Sequence, residues 1–353
     1  MNKKVIIGVI IGIVAVILIT IISFVIYFLI NIGPVGKDEV VKFNIESGTS
    51  TNSIIKNLKD NDLIKDEFVA KVYLYLHKGS SFQAGKYELN KNMSLEQILL
   101  KFVNGDVIND SISVTFVEGK RLVDYAKTLA NGLNFEEKDV LNQLKDKEFL
   151  KELIDKYWFI TDEILNEKIY YPLEGYLYPD TYQFDKNVTI KDAILKLING
   201  LANKLESYKE QIENNKYSPH QLLTMASIVE LEAATADDRL NVAGVFYNRL
   251  NTHMTLGSDV TTYYASHKTF QDELTVNDLA ACNAYNTRGS CVPALPIGPI
   301  ASPSSSALKA AIEPADNDYL FFVADKTKKV YFSKNAGEQA KVINELVQAG
   351  LWL

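Results

Sequence analysis

The sequence predicts an α+β protein that follows an N-terminal transmembrane helix. Three observations support this prediction. Residues 5–30 carry no charge, strand-like and helix-like patterns alternate between residues 40 and 105, and the stretch beginning at Ser218 has the capping residues of a buried helix. We therefore expect a membrane anchor at residues 1–36, a small mixed module at 37–110 and a larger mixed α+β region at 111–353.

The uncharged run is interrupted only by two glycines, a threonine and a serine among its aliphatic and aromatic residues, and it exceeds the ~20 residues that cross a bilayer. A cleaved signal peptide would have an apolar region of only ~7–15 residues and a small-residue cleavage site, and neither fits. A buried core helix is the remaining alternative, although such helices rarely run this long without charge. We expect a single membrane span.

The charges beside the run predict its orientation. Lys3 and Lys4 precede it, whereas Lys37 is followed at once by Asp38 and Glu39. Because basic residues are retained on the cytoplasmic side, we expect a cytoplasmic N-terminus and an extracytoplasmic remainder of the chain.

Composition excludes several classes of protein. The 353 residues have a formal net charge of −7, which argues against a nucleic-acid partner. The four histidines and two cysteines lack the spacing of metal ligands, so we expect neither a metal nor another cofactor. Cys282 and Cys291 are nine positions apart. They either form a disulfide outside the cytoplasm or remain two separate thiols.

The first extracytoplasmic stretch reads as a β-α-α-β-α module. Its first helix is capped near Ser50 or Thr51, its second strand lies around residues 85–89, and its last helix starts from a capping box at Ser94 and ends at Gly105. The module is too short to form a catalytic cleft, so we interpret it as a sugar-binding or spacer unit. A strand at "ISVTFVEG" and a helix starting near Leu122 follow it.

Five tyrosines lie within "YYPLEGYLYPDTYQF", residues 170–184, where two prolines and a glycine disfavour a helix. Two interpretations stay open. The tyrosines, with Glu174 and Asp180, line a carbohydrate groove, since aromatic faces pack on sugar rings, or they form a β-hairpin core.

A buried helix is predicted from Ser218 onward. Ser218 suits the N-cap, Pro219 the first helical position, and Gln221 completes a capping box. Mostly apolar residues then cover the helix circumference up to Glu230 and Glu232.

These two glutamates are related by about 200° of helical rotation, so they cannot both face one site. A carboxyl group in such an apolar setting would have a raised pKa and would suit a general acid for glycosidic bonds. The alternative is an ion pair between Glu230 and Arg239 or Arg249. A second amphipathic helix follows, with Asp237 and Asp238 in its first turn.

Several ordered motifs follow one another along the chain: "LEGYLYPDTY", "ASIVELEA", "VFYNRL", "SDVTTYYA", "AYNT" and "LPIGPIASPSSSALKAAIEPADNDYLFFVA". With the single N-terminal span, they resemble the endolytic murein transglycosylase, or YceG-like, family. The resemblance runs from the membrane span to "YFSK" at residues 331–334. It implies a small LysM-like module and a mixed α+β lytic transglycosylase domain. Valine at 260 and isoleucine at 297 replace prolines that are usual in the family, which loosens those loops.

The resemblance also implies an activity and a set of site residues. The enzyme would cleave the bond between N-acetylmuramic acid and N-acetylglucosamine in nascent glycan strands, leave 1,6-anhydro ends and so terminate strand elongation. Glu230, the first glutamate of its motif, would be the catalytic acid, with Glu232 a secondary candidate. The residues expected to hold sugars are Asn248, Asp259, Tyr285, Asn286 and Thr287.

Two other functions stay open at this point. A muramidase-type hydrolase would need a second carboxylate, for which Asp259 and Asp237 are candidates. A non-catalytic peptidoglycan-binding scaffold would use Glu230 structurally. In each case the expected partners are glycan strands and the membrane, with peptidoglycan synthases as further candidates.

Overall fold

The computed structural model describes residues 3–77, 81–108, 111–289, 291–292 and 294–352, with side chains from Ile6 onward. The chain separates into two compact units, Met1–Asp110 and Ser111–Leu353. Residue 110, where the predicted module ends, and the side chains of Lys3 and Lys4 lie outside what is described. The architecture is mixed α+β with an N-terminal apolar helix, as predicted.

The first unit begins with that helix, α1 (Lys3–Asn31). Within the described part of the chain, its segment Ile6–Asn31 is long and apolar enough to cross a membrane. Its large side chains are exposed along the run, Ile19 by 64%, for example, because the rest of the unit does not cover them. An exposed apolar helix of this length is compatible with a membrane anchor.

The predicted β-α-α-β-α module follows and is confirmed in its order. Its elements are β1 (Val40–Ile45), α2 (Thr51–Asp60), α3 (Glu67–Leu76), β2 (Gly85–Asn90) and α4 (Leu95–Asn104). Ser50 caps α2, Ser94 forms the expected capping box, and Gly105 ends α4 with a left-handed φ of 71°. The strands pair antiparallel with Phe43 opposite Tyr87, and the rings of both pack on Phe102 to form the core.

Across its described residues the second unit is mainly helical, with two short antiparallel strand pairs. Its helices are α5 (Leu122–Leu133), α6 (Glu137–Leu144), α7 (Lys147–Lys156), α8 (Ile190–Glu206), α9 (Lys209–Glu213), α10 (Pro219–Glu232), α11 (Ala236–Asn251), α12 (Asp259–Ala265), α13 (Val276–Ala280), α14 (Ser305–Ile312) and α15 (Ala336–Gln348). Its strands are β3 (Ser111–Thr115), β4 (Thr181–Asp185), β5 (Phe321–Ala324) and β6 (Val330–Ser333), with β3 paired to β4 and β5 to β6. Helix α10 lies at the centre, packed against α11, α12 and α14.

The tyrosine-rich segment forms turns that lead into β4, and much of it is core. Tyr176 is fully buried, and Glu174 is only 1% exposed. One Glu174 oxygen accepts a hydrogen bond from the backbone N–H of Leu122, and the other accepts one from the Tyr264 hydroxyl. Glu174 therefore ties the start of α5 to α12 inside the protein, and it does not line an open groove.

Cys282 and Cys291 are joined by a disulfide, with their Cα atoms 5.3 Å apart. Of the two interpretations left open by the sequence, the stapled loop is the one observed. The bridge closes a short loop that includes Tyr285, Asn286 and Thr287.

The buried carboxyl of Glu174 should make stability fall as pH rises. Burial raises the pKa of Glu174 from 4.5 to about 8. The native state therefore holds a proton that the unfolded chain releases above pH 4.5. The free energy of unfolding should drop by up to about 5 kcal/mol as pH rises from 4.5 through 8. Glu174→Gln should flatten this slope in denaturant unfolding at pH 5 and pH 8.

Glu167, an exposed residue, provides the control, and Glu167→Gln should keep the wild-type slope. An unchanged slope in Glu174→Gln would contradict this role for the buried carboxyl.

Candidate active site

The helix that carries both glutamates forms as its sequence predicts. The Ser218 hydroxyl accepts from the Gln221 N–H, the Gln221 side chain accepts from the Ser218 N–H, and Pro219 occupies the first turn. The helix ends at Glu232, followed by Ala233 in an extended conformation. Every residue from Leu222 to Glu230 is buried, so the helix cannot rotate without disturbing the core on several sides.

Because α10 continues through both positions, Glu230 and Glu232 point to different surroundings, as expected from their spacing. Glu230 lies against Arg239, whose Nη2 is 2.8 Å from Glu230 Oε1. Its other oxygen accepts from the backbone N–H of Ser304 at 2.9 Å. The Glu230 side chain is only 4% exposed. Both contacts stabilise the negatively charged carboxylate.

The apolar setting expected for Glu230 is therefore not what surrounds its carboxylate. The ion-pair alternative, with Arg239 as the partner, is confirmed. Arg249, the other candidate partner, instead donates to the carbonyl oxygens of Leu256 and Leu320. Glu230 thus links the end of α10 to α11 and to the N-cap of α14.

Glu232 lies beside polar and charged side chains rather than in the apolar setting that the sequence suggested. Its Oε1 accepts a hydrogen bond from the Ser258 hydroxyl at 2.5 Å. Burial raises the pKa of Glu232, and the charge of Asp259 raises it further. The Ser258 hydrogen bond and the cations Arg288 and Arg249 lower it, and the net direction is upward.

A cavity of about 660 Å³ opens beside Glu232. Its wall includes Ser258, Asp259, Arg249, Arg288, Phe321 and Trp352. A volume in this range is typical of small-molecule and oligosaccharide sites. Aromatic faces and charged side chains in one wall suit a ligand with apolar ring faces and many hydroxyls.

Asp259 is brought into the same cavity wall as Glu232. It lies at the first position of α12, and its Oδ1 is 2.5 Å from Arg288 Nε. The side chains of Asp259 and Arg288 are about half exposed, at 51% and 45%. Asp259 is therefore open to a ligand; that it contacts substrate stays a prediction.

Three other predicted sugar-binding residues do not face the cavity. Tyr285, Asn286 and Thr287 are all 0% exposed. The Asn286 amide nitrogen donates to the carbonyl oxygens of Asp278, Leu279 and Ala281. Direct contact with sugars does not fit these positions, because their polar groups are enclosed and already bonded within the protein.

These buried residues instead support the cavity wall. The Thr287 hydroxyl accepts from the backbone N–H of Ser258 at 3.0 Å. The Tyr285 hydroxyl accepts from the backbone N–H of Tyr170. Thr287 thereby fixes the residue that donates to Glu232.

Asn248 is also occupied within the protein. Its amide nitrogen donates to the carbonyl oxygens of Asn317 and Tyr319. It holds the segment that leads into β5, where Phe321 contributes to the cavity. That Asn248 contacts a sugar stays a prediction.

The sequence interpretation missed Arg288 and Trp352 as parts of the cavity wall. Arg288 directly follows the "AYNT" motif, so its position gave one signal. Trp352 gave none beyond its residue type. Gly350, with φ +68°, lets the chain reverse after α15. The N–H groups of Leu351 and Trp352 then bond to the Leu346 carbonyl, and Trp352 reaches the cavity.

The ion pair of Glu230 should be a structural requirement. Arg239→Ala would leave a buried carboxylate without its cation, so the free energy of unfolding should fall by about 3 kcal/mol. Adding Glu230→Gln should recover part of this loss, since it removes the unpaired charge. Denaturant unfolding of the two single variants and the double variant measures the coupling; strictly additive losses would contradict the pairing.

Comparison with known proteins agrees with this architecture. The family model described as the YceG-like family matches residues 43–345. The endolytic murein transglycosylase of Bacillus subtilis (strain 168) is 37% identical over 320 residues, which cover 90% of this chain and 88% of that protein. The endolytic murein transglycosylase of Streptococcus pneumoniae serotype 2 (strain D39 / NCTC 7466) is 30% identical over 331 residues, which cover 88% of this chain and 59% of that protein.

A solved structure has a similar fold. The 2.6 Å crystal structure of a YceG-like protein from Listeria monocytogenes matches with a TM-score of 0.62 and 34% identity, covering 87% of this chain and 100% of that one. With a family match that extends over most of its length, this chain belongs to the YceG-like family.

Proposed function

We propose that this protein is a membrane-anchored lytic transglycosylase that cleaves peptidoglycan glycan strands internally and leaves 1,6-anhydro ends. Family membership and the names of the Bacillus and Streptococcus relatives support this proposal. The observation that carries it is the Glu232 carboxyl, which lies in the wall of a cavity of about 660 Å³ with its pKa raised by burial.

In the proposed reaction, protonated Glu232 donates its proton to the oxygen between N-acetylmuramic acid and N-acetylglucosamine. The bond from C1 to that oxygen breaks, and positive charge develops at C1. Glu232, now a carboxylate, accepts the proton of the muramyl 6-hydroxyl as that oxygen attacks C1. The proton gained by the carboxylate restores the starting state, and water is not consumed.

One carboxyl group suffices for this cycle because it acts first as an acid and then as a base. A pKa raised toward the working pH suits both steps. The hydrogen bond from Ser258 orients the group and moderates the effect of burial on its pKa.

The assignment of Glu230 as the acid, implied by the family resemblance, stays a prediction, but the geometry favours Glu232. Glu230 is held by Arg239 and by the Ser304 N–H, whereas Glu232 lies in the cavity wall, where a substrate can reach it. We assign Glu230 the task of positioning α10 against α11 and α14, so that Glu232 faces the cavity.

A muramidase-type hydrolase is the second candidate, because Asp259 shares the cavity with Glu232. A hydrolase would use such a second carboxylate as a nucleophile or to activate water. Asp259 is paired with Arg288 and is about half exposed, so a ligand can reach it. The products separate the two reactions, since hydrolysis leaves reducing ends.

We further propose that the reaction is of the lyase class and takes place in nascent strands, with peptidoglycan synthases as neighbours. We propose that residues 37–110 form a LysM-like module and residues 111–353 form the catalytic domain. Lys3 and Lys4, which precede the uncharged run, and the acids after the run support a cytoplasmic N-terminus. Protease protection in sealed vesicles tests that orientation. Sedimentation with insoluble peptidoglycan tests whether the chain binds glycan strands. Cross-linking in cells tests its contact with synthases.

The matched pair Glu232→Gln and Glu230→Gln tests the assignment of the acid. Both changes keep side-chain size and remove the proton-donating carboxyl. Glu232→Gln should reduce formation of anhydro ends by at least about 100-fold, the scale of general acid–base catalysis. Glu230→Gln should keep much more activity and mainly lower stability. Mass analysis of products from purified peptidoglycan, together with denaturant unfolding, measures both effects.

The reverse pattern would return the acid role to Glu230. Reducing ends from the wild-type protein would favour the hydrolase, and a lack of products would favour a binding scaffold.

The pH profile offers a separate test. The hydrogen bond from Ser258 lowers the pKa of Glu232, so Ser258→Ala should raise it. The acid then stays protonated to higher pH, so the alkaline limb of the kcat/KM profile should shift to higher pH. Ser306→Ala is the control, because Ser306 accepts a hydrogen bond from Arg239, the partner of Glu230. A limb that moves in Ser306→Ala but not in Ser258→Ala would identify Glu230 as the titrating group.

A further inference from the structure

Helix α3 has more apolar surface than its module can cover. Of its ten residues only Glu67 and Lys71 are charged. Val69, Ala70 and Tyr73 face the core of the module. On the outer side Phe68 is 59% exposed, Tyr75 80% and Leu76 64%.

These exposed side chains share one face of the helix. Phe68 and Tyr75 are seven positions apart, which places them on the same stripe, and Leu76, eight positions after Phe68, lies about 80° around the helix from it. Large apolar side chains grouped on one face of a helix mark a surface that contacts a partner or a membrane.

The position of α3 in the first unit indicates which of these, a partner or a membrane, its apolar face contacts. The Tyr27 hydroxyl of α1 donates to Asp66, the N-cap of α3, at 3.0 Å. The side chain of Lys65 donates to the carbonyl oxygen of Ile30 at 3.0 Å. The start of α3 is therefore bonded directly to the last turns of the apolar helix.

The length of α1 sets the depth of this junction. The 26 residues Ile6–Asn31 span about 39 Å, whereas the hydrocarbon core of a bilayer is about 30 Å thick. The last turns of α1, which include Tyr27, therefore reach the level of the lipid headgroups, where tyrosine is favoured. Asp66 and the N-terminus of α3 lie at the same level.

We propose that α3 lies along the membrane surface and inserts Phe68, Tyr75 and Leu76 into the boundary between headgroups and acyl chains. A helix with an apolar outer face suits this boundary. Its two charged side chains, Glu67 and Lys71, pair with each other at 3.2 Å. The module is thereby held at the bilayer by a second contact besides the span. This inference rests on the proposed membrane anchoring by α1.

Tryptophan quenching in the full-length chain tests the contact. Both native tryptophans, Trp158 and Trp352, are first replaced by phenylalanine, and the protein is reconstituted in phosphatidylcholine–phosphatidylglycerol vesicles with lipids brominated near the headgroup. A single tryptophan is then placed by Phe68→Trp or Tyr75→Trp. Brominated lipid should reduce the emission of both variants at least about twofold, as expected for side chains buried ~5–10 Å into the interface.

Two matched variants serve as references. Phe24→Trp, within α1, reports the span itself, and Leu100→Trp reports another exposed apolar side chain, 50% exposed on α4. Strong quenching at 24, 68 and 75 with little at 100 supports the proposal. If phenylalanine at position 158 or 352 weakens folding, the native tryptophans are retained in the same variants. The quenching due to the added tryptophan is then the difference between the variant and the unsubstituted chain.

The remaining outcomes overturn the inference. Quenching at position 24 without quenching at positions 68 and 75 would support the anchor and contradict the surface contact. If the unquenched emission at positions 68 and 75 were also blue-shifted, the apolar face of α3 would be covered by protein. Quenching at 68 alone contradicts a helix that lies along the surface, and equal quenching at 100 contradicts a contact specific to α3. A lack of quenching at 24 would overturn the anchoring as well.

Discussion

The site depends on the fixed rotation of α10. The helix is buried from Leu222 to Glu230 and packs against three other helices, so its orientation is determined by the core. Two carboxylates at its end, two positions apart, must then point in different directions. Glu230 turns to Arg239 and the start of α14, and Glu232 turns to the cavity. A single helix thus places one carboxylate in an ion pair and the other in the cavity wall.

Local signals in the sequence predicted much of the fold. Ser94 and Ser218 each lie three residues before the glutamine that completes a capping box, and both helices begin where expected. Such contacts are determined within one turn of helix, so a short stretch of sequence contains both partners. The strand-and-helix order of the first module followed from periodicity for the same reason.

Contacts between distant segments were not predictable in this way. The Glu230 carboxylate is bonded to Ser304, 74 positions away, and the sequence alone offered both an acid and an ion pair for it. The polar residues of "AYNT" looked like groups for sugar hydroxyls. Asn286 and Thr287 instead satisfy backbone groups of a folded loop, a need that arises only once the loop is packed. Their effect on the cavity passes through Ser258.

The bridge between Cys282 and Cys291 gives that loop a dependence on its chemical environment. Disulfides persist in oxidising compartments and are reduced in the cytosol. The loop that contains Thr287, and through it the placement of Ser258, therefore stiffens only where thiols are oxidised. A copy of the chain kept under reducing conditions would retain its helices and its carboxylates but would hold one wall of the cavity less firmly, so the compartment itself contributes to shaping the pocket.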